Sequence, residues 1–232
     1  MKSKKGKRNK EVKMQNTFTL LLLLLLGLVS ENLSAQTSVG FRGGYSSSSY
    51  SYRHRPGATV TRTGGITAPT YSLVIEQFLA KNAGAQIEIQ YLQLGYTQRD
   101  TLNRTNQTTF DYVKVPFMSN FYFGNKGRFH IKVGTHIGYM LSAADPVREY
   151  ETPGVLPTYG DVGDNPRKLL YGLSAGAGLS KLFGKSTLVG EVRFSYDFNR
   201  PETRGRVFDM TSTNLEFTLA YLFQIIKPKW QN

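Results

Sequence analysis

Residues 215–223 read Leu-Glu-Phe-Thr-Leu-Ala-Tyr-Leu-Phe, and every second side chain in this stretch is bulky and apolar. One face carries Leu215, Phe217, Leu219, Tyr221 and Phe223, and the other carries Glu216, Thr218, Ala220 and Leu222. Because successive side chains of a β-strand point to opposite faces, this alternation predicts a strand with one apolar face and one mostly small or polar face.

The same alternation recurs in seven further blocks, so the sequence predicts eight strands. They are Thr37–Tyr45, Thr70–Leu79, Ala85–Thr97, Phe110–Phe123, Arg128–Ser142, Lys168–Phe183 and Leu188–Phe198. In the third block the apolar face slips by one position after Tyr91, which predicts a β-bulge. Pro116 removes one ladder hydrogen bond, so we expect a bulge, or a side-chain or water partner, beside it. An even number of strands favours an all-β, eight-stranded antiparallel up-and-down barrel.

The predicted connections alternate between short and long. The short ones are Ala80–Gly84, Gly124–Gly127 and Gly184-Lys185, and the long ones are Ser46–Ala68, Arg99–Thr109, Ala143–Arg167 and Arg200–Thr211. Outer-membrane barrels have short periplasmic turns and long loops outside the cell. The asymmetry therefore predicts a transmembrane β-barrel over residues 36–223, with both termini in the periplasm and a periplasmic tail over residues 224–232.

A secreted soluble barrel of the lipocalin type is the rival interpretation, because it too has one apolar and one polar face. The two differ in which face points inward. An eight-stranded interior is just wide enough to be filled by side chains, and the apolar face here is crowded with Phe, Tyr, Leu and Ile. The smaller polar face fits such an interior better, which favours the membrane barrel.

The composition excludes several other classes. The chain has 232 residues and no cysteine, so disulfides, thiol catalysis and cysteine-based metal sites are excluded. Its mean hydropathy is −0.33, and no apolar stretch of about 20 residues is present, which excludes a transmembrane helix. The 23 Gly, 14 Tyr and 14 Phe favour a β-rich protein with many turns.

Residues 1–35 have the features of a secretory signal peptide. Seven cations lie between Lys2 and Lys13, a short leucine-rich segment follows over residues 20–29, and Leu33-Ser34-Ala35 ends in a small residue before Gln36. Without this segment, 22 basic and 14 acidic residues remain, and the net charge falls from +13 to +8. The remaining cations are scattered, so nucleic acid is not expected as a partner.

Charged residues on the predicted inward face nearly balance. They are Arg42, Glu76, Glu88, Lys114, Lys132, Glu191, Arg193, Asp197 and Glu216, four cations and five anions. An unpaired ion in a narrow, poorly hydrated interior costs several kcal/mol, which predicts an ion-pair network that plugs the lumen. A narrow selective pore lined by the same groups is the alternative.

The histidines do not predict a catalytic site. His130 and His136 lie six residues apart on one predicted strand, about 20 Å at about 3.3 Å per residue. His54 has serines near it in sequence but no carboxylate, so no set of nucleophile, base and orienting group is recognisable. We therefore expect no catalytic residue, cofactor or metal, and the enzyme alternative is a lipid-modifying barrel with a cluster at its outer rim.

Arginines in the first predicted loop are candidate contacts for lipopolysaccharide. Arg53, Arg55 and Arg62 lie in a segment rich in serine and tyrosine. Arginine suits bidentate contact with phosphate, and lipopolysaccharide presents phosphates at the outer surface. A mobile, solvated loop without a ligand is the alternative.

Two adjacent strands resemble the PorT-like outer-membrane β-barrel family of Bacteroidetes. Residues 111–124, Asp-Tyr-Val-Lys-Val-Pro-Phe-Met-Ser-Asn-Phe-Tyr-Phe-Gly, resemble that family's strand with a central hydrophobic–Pro pair and an aromatic end. Residues 134–143, Gly-Thr-His-Ile-Gly-Tyr-Met-Leu-Ser-Ala, resemble the next strand. The resemblance implies an outer-membrane barrel and adds an accessory role in type IX secretion as an alternative function. Periplasmic or secretion-machinery proteins would then be partners.

Two features stand beside that resemblance. The tail Gln224–Asn232 departs from it, since family members usually stop at or near the terminal aromatic residue. Asp100-Thr101-Leu102 resembles the Asp-Thr-aliphatic O-glycosylation site of Bacteroidetes, which makes Thr101 a candidate modification site.

Overall fold

The computed structural model describes residues 36–150, 159, 165–203 and 208–226, so the predicted signal peptide lies outside the described residues. Within them the chain forms nine strands, and no helix is long and apolar enough to cross a membrane. The strands are β1 (Gln36–Arg53), β2 (Thr61–Arg62), β3 (Gly64–Ala80), β4 (Ala83–Arg99), β5 (Thr105–Gly124), β6 (Gly127–Arg148), β7 (Leu169–Phe183), β8 (Ser186–Asp197) and β9 (Asp209–Ile226).

Eight long strands form one closed antiparallel ring. Strands β3 to β9 pair in chain order, β1 pairs with β3, and β1 also pairs with β9 from Thr37 opposite Ile226 to Arg53 opposite Asp209. The two-residue β2 lies beside the end of β1. The predicted eight-stranded up-and-down barrel is therefore confirmed. Closure gives each long strand two neighbours, so its backbone groups find partners without water.

The two ends of the barrel differ as the sequence predicts. At the turn end, three connections have two residues each: Lys81-Asn82, Asn125-Lys126 and Gly184-Lys185. At the loop end, the connections span residues 54–63, 100–104, 149–168 and 198–208.

Several strands extend further toward the loop end than predicted. Strand β1 continues to Arg53 and β3 begins at Gly64, so much of the predicted loop Ser46–Ala68 is strand. The predicted loop Arg99–Thr109 shrinks to Asp100–Arg104. Outward positions in these extensions carry small polar residues such as Ser47, so the apolar alternation ends before the strand does. The boundaries predicted from that alternation were wrong for this reason.

The apolar side chains face outward, and the charged ones face the lumen. Phe41 is 72% exposed and Leu219 is 65% exposed, whereas Arg193 and Glu216 are fully buried. This is the surface that a barrel presents to hydrocarbon. The transmembrane orientation is confirmed, and a soluble carrier with an apolar interior is excluded.

Outward aromatic residues mark two levels on the barrel wall. Six exposed tyrosines, one on each of six strands, lie on the loop side: Tyr45, Tyr71, Tyr91, Tyr139, Tyr171 and Tyr196. Exposed phenylalanines lie near the turn end: Phe123, Phe129, Phe183 and Phe223. Aromatic girdles of this kind lie at the two membrane–water interfaces of barrels. The strands thus project beyond the loop-side interface, which explains their polar extensions.

A register shift lies beside the predicted bulge after Tyr91. The pairing of β3 with β4 shifts by one residue between Thr70 opposite Leu92 and Gly65 opposite Tyr96, with the extra residue on β3. The predicted change of face in β4 is wrong, because its inward alternation continues through Leu92, Leu94 and Tyr96. The apolar residues do not slip to the outer face. They point into the lumen, because its loop-end half is filled by apolar side chains.

Pro116 does not cause a bulge. Its side chain is buried, and it lies opposite His136 on β6 in an uninterrupted register. On the β4 side, pairing stops after Ile87 opposite Phe117 and resumes in the same register at Gln90 opposite Lys114. The missing amide therefore interrupts the ladder locally without shifting it.

Strand β9 is longer than predicted at the turn end. It continues to Ile226 and pairs there with Thr37, so Gln224–Ile226 belong to the barrel. The rest of the predicted tail, residues 227–232, lies outside the described residues.

Gly134 should be intolerant of a side chain. A Cβ on this lumen-facing residue would overlap the carbonyl oxygen of Phe117, whereas a Cβ on the outward-facing Gly190 would meet its nearest atom, Leu219 Cδ2, at 3.6 Å. We expect Gly134→Ala to lower the free energy of unfolding by about 1–3 kcal/mol. Gly190→Ala should change it by less than about 0.5 kcal/mol. Urea titrations read by heat-modifiable gel migration measure both, and equal losses would contradict the steric argument.

Candidate functional site: the filled lumen

The nine charged residues predicted on the inward face all lie in the lumen. None is more than 4% exposed: Arg42, Glu76, Glu88, Lys114, Lys132, Glu191, Arg193, Asp197 and Glu216. They come from seven strands, and the closure of the ring brings them together.

Five of them form one ionic network near the middle of the lumen. Glu191 lies 2.7 Å from Arg42, 2.9 Å from Lys132 and 2.7 Å from Arg193. Glu88 lies 2.6 Å from Arg193 and 3.4 Å from Arg42. Two carboxylates are thus held by three cations from three strands. Such shared contacts compensate the cost of removing each charge from water.

A second ion pair lies nearer the loop end. Lys114 Nζ is 3.0 Å from Glu216 Oε1 and donates to Ser195 Oγ at 3.3 Å. Glu216 also accepts hydrogen bonds from Gln90 at 2.7 Å and Asn214 at 3.0 Å. Neutral amides and a hydroxyl thus contact this pair. Glu216 also lies opposite Arg193 in the β8–β9 register, but no salt bridge within 4.0 Å joins the pair to the five-residue network among the described residues.

Glu76 is held by neutral donors. Asn120 Nδ2 donates to it at 2.6 Å, and the Tyr122 hydroxyl donates to the same oxygen. Gln86 links this group to the network, because its Oε1 accepts from Lys132 at 2.7 Å and from Asn120 at 3.1 Å. Glu76 is thus connected to the ionic network through amide side chains.

Arg128 is a further buried cation that our sequence reasoning missed. It is 8% exposed, and its guanidinium lies 4.4 Å from the ring centre of Tyr122 and 5.2 Å from that of Phe78. Even-numbered residues of this part of β6, such as His130 and Lys132, face the lumen, and Arg128 continues this pattern. The sequence pattern could therefore have identified Arg128 as a lumen residue. With Arg128, the buried strand residues of the described lumen include five fixed cations and five carboxylates.

His136 joins a chain of hydroxyl and carboxylate groups that the sequence did not reveal. Its Nε2 lies 2.8 Å from Asp197 Oδ1, and its Nδ1 lies 2.9 Å from Ser174 Oγ. Ser174 Oγ lies 2.8 Å from Ser195 Oγ. The sequence did not reveal this grouping, because Ser174 and Asp197 reach His136 from β7 and β8. His130 lies elsewhere, 3.4 Å from Glu191.

An apolar cluster, which we call the loop-end cap, closes the lumen toward the long connections. Its buried members are Tyr50, Tyr52, Leu92, Leu94, Tyr96, Phe110, Tyr112, Met140, Tyr159, Leu170 and Met210. Tyr50 packs edge-on against Tyr96 at 5.3 Å, and Tyr159, from the β6–β7 connection, packs against Phe110 at 5.1 Å. The cap therefore covers the polar part of the lumen with side chains from strands and from a loop.

The candidate lipopolysaccharide contacts lie at the loop end. Arg53, Arg55 and Arg62 are exposed, Arg53 ending β1 and Arg62 lying in β2. Arg62 also lines a surface cavity of about 270 Å³ with Arg99 and Tyr150. Arg53 lies in a strand, so the first predicted loop is not mobile along its whole length.

Thr101 lies on a tight, ordered turn. Asp100 Oδ1 accepts from the backbone amides of Leu102 and Arg104, each at 2.9 Å, and Asp100 Oδ2 accepts from Arg104 Nε at 2.7 Å. Slight desolvation opposes the charged form, but these hydrogen bonds hold the pKa of Asp100 below its ordinary value. The turn leaves Thr101 exposed, and its O-glycosylation stays a prediction.

An eight-stranded ring with an apolar exterior and an ionic lumen defines a transmembrane β-barrel, and comparison places it in the outer membrane. Residues 31–200 match the family described as outer membrane protein beta-barrel domain, which is more than half of the chain. The protein therefore belongs to this family. No curated protein gives a significant match.

Several solved outer-membrane proteins resemble this chain at low identity. OprG from Pseudomonas aeruginosa is 10% identical with a TM-score of 0.53, and the match covers 84% of this chain and 98% of OprG. Ail from Yersinia pestis is 12% identical with a TM-score of 0.41, covering 81% of this chain and 99% of Ail. Neisserial surface protein A is 9% identical with a TM-score of 0.44, covering 80% and 97%. At 10% identity the likeness to OprG shows the fold alone.

The Lys114–Glu216 pair should behave as a coupled unit. We expect Lys114→Met or Glu216→Gln alone to lower the free energy of unfolding by about 3–5 kcal/mol, because each leaves a buried charge without its partner. The double variant should recover most of this loss. A double-mutant cycle from urea titrations of the refolded barrel measures the coupling, and strictly additive losses would contradict it.

Proposed function

We propose that the protein is a closed, non-enzymatic outer-membrane barrel that acts as a structural or partner-binding protein. The filled lumen carries this proposal: the ionic network occupies its middle, and the loop-end cap covers it. A barrel filled in this way presents its connections and rims, and not its interior, to other molecules.

The packing argues against a channel. Glu191 is contacted by Arg42, Lys132 and Arg193, which come from three different strands. These side chains cross the space that a pore would need, and an eight-stranded barrel has no spare width. Opening a path would separate buried charges from their partners, which costs several kcal/mol.

The geometry around His136 also argues against catalysis. Ser174, His136 and Asp197 are 3%, 1% and 1% exposed and lie beneath the loop-end cap. In serine hydrolases Nε2 contacts the nucleophile and Nδ1 contacts the carboxylate. Here the ring nitrogens have the opposite partners. The arrangement orients His136 within a packed interior, and this supports a structural role for it.

The proposed location follows the ordinary orientation of such barrels. The signal peptide over residues 1–35 directs export, both termini lie in the periplasm, and the loop end lies outside the cell. Arg53, Arg55 and Arg62 would then face lipopolysaccharide phosphates, which their exposure supports.

The resemblance to PorT-like barrels of Bacteroidetes supports a narrower alternative, an accessory role in type IX secretion. The motifs that carry the resemblance form most of β5 and the centre of β6. The proteins secreted by a deletion strain would test this role.

A closed lumen predicts the absence of channel activity. The purified barrel in planar bilayers should give no discrete current steps in concentrated potassium chloride, because paired side chains occupy the axis. A porin of known conductance in the same bilayer is the positive control. Unitary steps that change in size with Arg193→Gln would overturn the closed-lumen proposal.

The cysteine-free chain allows a direct test of orientation. Thr59→Cys lies on the first loop-end connection, and Asn125→Cys lies on a turn at the opposite end; both positions are exposed. On intact cells, a membrane-impermeant maleimide should label the Thr59→Cys variant, and should label the Asn125→Cys variant only after the outer membrane is permeabilised. The reverse pattern would place the turn end outside.

A further inference from the structure

We propose that the turn end is a docking surface for the anionic phospholipid headgroups of the adjoining leaflet, of the phosphatidylglycerol or cardiolipin class. This inference rests on the proposed orientation, in which the turn end meets the phospholipid leaflet. It assigns a ligand class to a surface that the lumen does not involve.

Each turn carries one lysine. Lys81, Lys126 and Lys185 lie on the β3–β4, β5–β6 and β7–β8 turns, and all three are exposed. Because the turns join alternate strand pairs, the lysines are distributed around the rim. The fourth position on the rim is occupied by the ends of β1 and β9, where Thr37 lies opposite Ile226.

The backbone of each turn is fixed to the barrel. Tyr122 N donates to Asn82 O at 2.8 Å, Leu182 N donates to Lys126 O at 2.9 Å, and Gln224 N donates to Lys185 O at 2.8 Å. Each turn is thus bonded to the strand beside it. The lysines are therefore held at the rim itself and not on extended loops.

The lysines of this end have no carboxylate to pair with in the described part of the chain. The rim segments are residues 36–39, 77–85, 121–129, 181–188 and 222–226, and none contains Asp or Glu. Five cations lie in them: Lys81, Lys126, Arg128, Lys181 and Lys185. Four are exposed, whereas Arg128 is buried in the lumen. The exposed charges of these segments are therefore all positive.

The loop end has a different charge pattern. There, described arginines have carboxylate neighbours: Arg104 lies 2.7 Å from Asp100, and Arg148 lies 2.9 Å from Asp145. Part of its positive charge is thus neutralised within the protein. The exposed lysines of the turn end, which have no such neighbour among the described residues, remain available to an external anion.

The depth of the lysines matches that of lipid phosphates. Lys181 Nζ lies 5.2 Å from the ring centre of the exposed Phe183, and the exposed Phe123 and Phe129 lie 6.3 Å apart beside the Lys126 turn. Aromatic side chains of the girdle lie at headgroup level. Ammonium groups next to them can reach phosphates of the same leaflet, and anionic headgroups attract such lysines.

The experiment compares two variants that remove equal charge from opposite ends. One carries Lys81→Gln, Lys126→Gln and Lys185→Gln, and the other carries Arg99→Gln, Arg104→Gln and Arg167→Gln at the loop end. All six positions are exposed, and heat-modifiable migration checks that each barrel folds. Native mass spectrometry of the detergent-solubilised full chain, titrated with phosphatidylglycerol or phosphatidylcholine, measures lipid retention.

We expect the native chain to retain phosphatidylglycerol at least about fivefold more strongly than phosphatidylcholine. The lysine variant should lose this preference, and the arginine variant should keep it. Equal retention of both lipids by the native chain, or equal losses in the two variants, would overturn the proposal. So would loss of a co-purifying acidic periplasmic protein from the lysine variant without any lipid preference, since the surface would then bind protein.

This readout is independent of the orientation test. If cysteine labelling places the turn end in the periplasm but the lipid preference is absent, only the docking surface is wrong. If labelling places the turn end outside, the proposed orientation is wrong whatever the lipid preference.

Discussion

Hydrocarbon offers a peptide group no hydrogen-bond partner, and the rest of this structure depends on that constraint. This chain satisfies the constraint by pairing β1 with β9 over their whole length. The sheet is thereby closed, and every long strand has two neighbouring strands. Pro116 is a local exception to this pairing. Its missing amide interrupts one ladder, yet the register on both sides is kept.

Closure creates the second problem, because an eight-stranded ring leaves a narrow interior that must be filled. In this chain the interior is filled in two ways. The middle contains charged side chains that share partners, such as Glu191 among Arg42, Lys132 and Arg193, and the loop-end half contains tyrosines and aliphatic residues. The two kinds of filling differ for a physical reason. Paired charges tolerate the low dielectric only when every charge has contacts, whereas the projecting wall can use an ordinary apolar core.

Because the interior is filled, the loop end and the turn end are the surfaces through which the barrel can carry out different functions. The loop end carries both signs of charge and connections long enough to pack back into the lumen, as Tyr159 does against Phe110. The turn end carries two-residue turns and cations alone. An integral barrel with a filled interior can recognise other molecules only through such rims, its loops and its lipid-facing wall.

The sequence by itself determined the strands, their inward and outward faces and nine of the lumen charges, though not Arg128, because a strand's side chains alternate whatever its neighbours are. It misplaced the strand ends, since alternation disappears where the outer wall leaves hydrocarbon, and it misread Leu92, Leu94 and Tyr96 as a change of face. Only the tertiary structure decided which groups meet: Asp197 with His136, Arg128 with Tyr122, and Glu76 with neutral donors. Those contacts depend on the register between strands far apart in the chain, and ring closure sets that register.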